Sequence, residues 1–142
     1  VPSTDRNKIV VGRTSTTFAW TFQHVKTQDG CTAKSIAVTL EARVVMPLWT
    51  DKLLATYALQ AEWDRYRADV ERHEQRHVDI AFETARELER GLAEARSEKC
   101  GDLQAVMRAI AEGHMERDRR NQRAFDAREG SCHLRKTCIK GM

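Results

Sequence analysis

One stripe constrains this chain more than any other feature. Leu59, Trp63, Tyr66, Val70, His73, His77, Ile80, Thr84 and Leu88 recur at steps of four and three, with no proline from Thr50 to Ser97 and Gly91 the only glycine. That spacing is one face of an amphipathic helix, and it predicts a single long helix reaching to about Ser97, with a bend expected near its start. Pro47 stops whatever precedes it, and either Thr50 or Thr56 can cap the helix by accepting from an orphan amide of the first turn. A helix this long needs a partner for its apolar face. Leu103, Val106, Met107 and Ile110 restart the periodicity after Cys100-Gly101-Asp102, read as a tight turn in which Asp102 caps a second helix running to about Arg128. The two helices are expected to form an antiparallel hairpin.

The first third has a different period. Ile9 to Val11, Thr16 to Phe22 and Ser35 to Met46 are rich in β-branched and aromatic residues, with Gly12-Arg13 and Gln28-Asp29-Gly30 as breakers. Ile36, Val38 and Leu40 alternate with Ala37, Thr39 and Glu41, the period of two of a half-buried strand. The expected fold is α+β: an antiparallel β-meander over residues 1–49, a helical hairpin over 50–130 and a basic tail over 131–142, in one domain of 142 residues.

Composition excludes two classes. The 24 Lys+Arg against 21 Asp+Glu leave a formal charge of only +3, without the one-sided basic excess of a nucleic-acid binder. No stretch approaches the roughly 20 apolar residues of a membrane span. A chain starting at Val1 with four widely spaced cysteines and no C-x-x-C pair reads as an exported protein, periplasmic or extracellular after signal removal, with two disulfides. A second helix of about 40 Å separates Cys100 from the tail cysteines, so the expected bridges are Cys31–Cys100 and Cys132–Cys138.

The chemistry lies on the stripe, in His73-Glu74-Gln75-Arg76-His77. Histidines four apart on a helix share a face, so both imidazoles can reach one Zn2+ at ~2.0–2.1 Å. Glu74, turned by about 100°, flanks that face and suits a general base better than a ligand. Water activated at zinc gives up its proton near pH ~7, and a carboxylate that takes it and returns it to a leaving amine describes amide hydrolysis.

Leu48-Trp49, Ala61-Glu62-Trp63, Arg72 to His77, Cys100-Gly101-Asp102-Leu103 and Phe125-Asp126-Ala127-Arg128 together resemble a bacterial domain-of-unknown-function family described as predicted secreted zinc-dependent proteases. The likeness covers most of residues 43–131 and implies a zinc peptidase. In that family the aromatic-Asp pair opens a motif continuing to Thr, His and Gly. Glu129, Ser131 and Cys132 stand in those places here, so a catalytic role for that His would pass to His133 or be lost.

A catalytic zinc needs a third protein ligand. With the turn near Lys99-Cys100, facing residues have numbers totalling about 199, which sets Asp126 opposite His73 and Gln122 opposite His77. The metal ligands expected are His73, His77 and Asp126, with His133 the competitor and an ion pair to a neighbouring Arg the plain alternative for Asp126. His114 would face Ala85, about 12–18 Å from the ion, and is read as a core or interface residue. Glu116 and Asp118 are assigned with Arg117, Arg119, Arg120 and Arg123 to a solvated face. Asp69 either orients His73 or pairs with Arg65 or Arg72. Trp63 and Tyr66 are read first as core, with Tyr66 an alternative donor to a developing oxyanion.

The functional expectation is an exported zinc metallohydrolase, a peptidase first, acting on protein or peptide with Glu74 as base. The alternatives are a non-catalytic periplasmic binding or structural protein whose metal ties the hairpin together, and an interaction module using the tail.

Overall fold

The computed structural model describes residues 12–129. Two long antiparallel strands, β1 (Arg13–Thr27) and β2 (Gly30–Val45), lead through a short 3-10 turn at Lys52–Leu54 into helix α1 (Tyr57–Ala93). A two-residue strand, β3 (Arg96–Ser97), precedes helix α2 (Cys100–Glu129). The architecture is α+β, as the two periodicities require.

The sheet differs from the expectation in its third strand. Its order is β1-β2-β3, and β3 comes from the connection between the helices, pairing Cys31 with Ser97 and Thr32 with Arg96. Ile9 to Val11 lie outside the described residues. The β1-β2 hairpin closes at Thr27 and Gly30 and opens to Arg13 and Val45, with an irregularity between Thr21 and Gln23. Gly30 is required there: its φ is +151°, and a Cβ would stand 2.3 Å from the Ser97 carbonyl oxygen of β3.

Thr56 is the N-cap of α1, its hydroxyl accepting from the Leu59 amide at 3.3 Å. At 37 residues α1 is about 55 Å long. It stops at Ala93, four residues short of the expected Ser97, because the chain leaves the helix to form β3. Cys100 is correspondingly already the first residue of α2 rather than part of a turn, and Asp102 sits in its first turn with its amide donating to the Lys99 carbonyl. Leu59, assigned to the buried stripe, is 47% exposed.

The apolar core occupies the end of the hairpin nearest that connection. Leu88 and Leu92 of α1 and Leu103, Met107 and Ala111 of α2 close over Cys31 and Ala95, with Phe18, Trp20, Phe22, Ile36 and Val38 supplied by the sheet. Each such large side chain taken from water contributes roughly 1.5–3 kcal/mol. The Cys31–Cys100 disulfide, with Cα atoms 5.1 Å apart, ties the start of β2 to the start of α2, as the length argument predicts. Cys132 and Cys138 lie outside the described residues. Among the described residues no helix is long and apolar enough to cross a membrane.

Candidate metal centre

Away from the apolar core, toward the start of α1, polar side chains enter the buried face, and His77 and His73 lie roughly 17–22 Å along the helix from Leu88. Val70, His73, Glu74, His77 and Thr84 of α1 are buried there, together with Asp118 and Phe125 of α2. The face is wider than an a/d stripe because α1 packs on two layers. Its histidines look toward α2, while Val70 and Glu74 look toward the start of β1, where a Cβ on Gly12 would meet Val70 Cγ1 at 2.7 Å and Glu74 Oε1 at 3.0 Å.

The hairpin brings the three expected ligands together. Asp126 Oδ1 lies 3.1 Å from His73 Nε2 and 2.8 Å from His77 Nε2. One ligand atom from each of the three falls within 4.8 Å of the others. Tetrahedral zinc with ligands at ~2.0–2.1 Å would hold them about 3.3 Å apart, and both imidazole–carboxylate distances lie within about half an ångström of that. Among the described residues the ion-pair partners of Asp126 are the two histidines, not an arginine. The donor set, two imidazoles and a carboxylate, is one that suits Zn2+.

Phe125 fixes the rings. Its side chain, 6% exposed, stacks on His73 with centroids 4.6 Å apart and meets His77 edge-on at 5.0 Å. Both histidines are buried, whereas the Asp126 side chain is 56% exposed, so the cluster is open to solvent on one side. The outer ring nitrogens also face acceptors: His77 Nδ1 donates to Gln122 Oε1 at 2.5 Å, and Glu129 Oε2 lies 3.5 Å from His73 Nδ1.

Glu74 is not one of the clustered ligands, in keeping with the flanking position its spacing implies. It is 5% exposed, and the Thr14 hydroxyl of β1 donates to its Oε2 at 2.6 Å. That contact was not visible in the sequence.

The remaining expectations divide. Asp69 pairs with Arg72 at 3.1 Å. Trp63 packs edge-on against Trp49, centroids 5.7 Å apart, and touches Tyr66, whose phenol burial pushes above its ordinary pKa. His114 sits against Gly91 rather than Ala85, even further from the site. Glu116 does pair on the surface with Arg119 at 2.8 Å, and that guanidinium holds its carboxyl below the usual range. Asp118 does not belong to that solvated face. It is 5% exposed and accepts from the Thr84 hydroxyl at 2.8 Å. The spacing held the signal, since Asp118, Gln122 and Asp126 are successive fourth residues facing a stripe that includes Thr84. His133 lies outside the described residues.

Among known proteins, residues 1–133 match the family model described as bacterial protein of unknown function (DUF922). No curated protein and no solved structure matches the chain.

Proposed function

The chain belongs to the bacterial DUF922 family, and we propose that this member is an exported zinc-dependent metallohydrolase, a peptidase acting on protein or peptide substrates. One observation carries the reading: the two histidines of an H-E-x-x-H helix and an aspartate from the facing helix converge at a solvent-open spot, with a buried glutamate one residue from the first histidine. His73, His77 and Asp126 would hold the ion. Zinc bound there would polarise a substrate carbonyl and make water acidic near neutral pH. Glu74 is the group that takes the proton from the attacking water and hands it to the departing amine, and Thr14 holds its carboxylate in place. Phe125 keeps the rings from turning away. The Cys31–Cys100 bridge supports export, because such bonds persist in oxidising compartments.

A second reading has its own observation. The part-buried Thr14–Glu74 contact is also what a structural carboxylate would show, and it favours a non-catalytic protein in which metal merely joins α1 to α2. Metal analysis of the purified protein beside His73→Ala and Glu74→Gln separates them. The hydrolase requires close to one zinc per chain, lost in His73→Ala and kept in Glu74→Gln, while cleavage of unfolded protein mixtures falls by about 10²–10⁴ in Glu74→Gln. Equal cleavage by zinc-loaded wild type and Glu74→Gln would remove Glu74 from the mechanism and leave the scaffold.

A further inference from the structure

We propose that Gln122 is a positioning residue that commits His77 to bind metal through Nε2. The proposal rests on the zinc reading above. Its basis is that the Gln122 amide can sit only one way round. Its Nε2 donates to the His77 backbone carbonyl at 3.1 Å and points at Asp118 Oδ1, 3.5 Å away. Turning the amide over would set its oxygen against a carbonyl and a carboxylate, neither of which can donate. Asp118 is itself held, buried on α2 with the Thr84 hydroxyl of α1 donating to it. The amide oxygen is therefore left facing His77 Nδ1 at 2.5 Å.

An acceptor fixed at that distance keeps the proton on Nδ1 and leaves the Nε2 lone pair for a cation beside Asp126. Gln122 does this without adding charge. Buried Thr84 and Asp118 thereby gain a purpose beyond packing: they anchor the amide that anchors the ring.

The test compares zinc dissociation constants, by chelator competition at one fixed pH, for wild type, Gln122→Leu and Gln122→Glu. Proton NMR of the zinc-loaded full chain follows the His77 Nδ1–H. Leucine removes the acceptor, and zinc should bind about 10–100-fold more weakly. The protected Nδ1–H signal should disappear with it. Glutamate restores an acceptor at the same reach but sets its second oxygen against the His77 carbonyl and Asp118, so it should return the signal and recover only part of the affinity. A purely structural role would lower the melting temperature of the metal-free protein without this split between leucine and glutamate. Should Gln122→Leu fail to fold, Gln122→Asn, one methylene too short for the contact, carries the same comparison. Wild type that takes up zinc, with a leucine variant binding it equally well and retaining the signal, would overturn the role of Gln122 and leave the metal site standing. Wild type that takes up none would overturn the metal site itself.

Discussion

Thr14→Val probes Glu74 without touching any proposed ligand. Valine keeps the shape and removes only the hydroxyl that donates to Glu74 Oε2 at 2.6 Å. Glu74 is 5% exposed, so water cannot freely replace the lost donor. A hydrogen bond to a charged group contributes about 1.5–3 kcal/mol, and since Thr14 is only half-buried the expected cost lies near 2 kcal/mol. The higher β-propensity of valine offsets a few tenths of that. At about 2–4 °C per kcal/mol for a chain of this size, the melting temperature should drop by roughly 4–8 °C. Thr14→Ser should restore most of it. The decisive measurement is a double-mutant cycle in urea. In a Glu74→Gln background the acceptor is neutral, and the cost of Thr14→Val should shrink to about 1 kcal/mol. Zinc content should stay constant throughout. A cost below about 0.5 kcal/mol in the wild type, or the same cost in both backgrounds, would refute the claim that Thr14 holds a charged Glu74.

Three further expectations use other parts of the fold. Asp126→Asn should sharply weaken zinc binding by isothermal calorimetry; if His133→Ala loses the zinc while Asp126→Asn keeps it, the third ligand is in the C-terminal segment. Replacing Cys31 and Cys100 by serine releases a loop with a sequence separation of 69, which in the chain-entropy treatment lowers stability by ~4 kcal/mol, measurable as the urea midpoint against wild type. Gly91→Ala would place a Cβ 2.6 Å from His114 Nε2, so its helix-propensity gain of about 1 kcal/mol should be cancelled in wild type and recovered in a His114→Ala background; equal effects in the two would mean the helices do not meet there.

Much of this was legible, for reasons that can be named. The 3.6-residue stripe and the period-two strand at Ile36 to Leu40 follow from burial on one face, and they gave both element types. His73, His77 and Asp126 followed from helix spacing and hairpin counting, and the counting worked where it mattered, at His73/Asp126 and His77/Gln122. It failed nearer the connection, where His114 meets Gly91 instead of Ala85. The spacing around Cys100-Gly101-Asp102 predicts a tight turn, whereas residues between Ala93 and Cys100 run out to pair with β2. A two-residue strand carries too little periodicity to announce itself. Thr14 on Glu74 was illegible for a different cause: it joins residues 60 apart across two layers, and no local pattern encodes such a contact. Asp118 departs from the solvated face because its arginine neighbours share its turn but not its side of the helix.

The distribution of polarity along the hairpin bears on why the site exists. Near the disulfide the helices meet through Leu88, Leu92, Leu103 and Met107, all with 0% exposure, and that packing needs no further explanation. At the other end the same two helices meet through His73, His77, Thr84, Asp118 and Gln122. Burying polar groups costs free energy that their mutual hydrogen bonds only offset, and apolar residues of similar volume would commonly hold two helices together as well or better. A hairpin selected for stability alone has no reason to change from leucine to histidine and aspartate halfway along. Nor would it aim two imidazole nitrogens at one carboxylate oxygen while holding an outer nitrogen with a clamped amide. Under the zinc reading proposed above, such donor atoms around a common point are what a cation requires and what packing does not. The apolar half and the disulfide keep the helices in register, and that register is what lets the polar half bring Asp126 to His73 and His77.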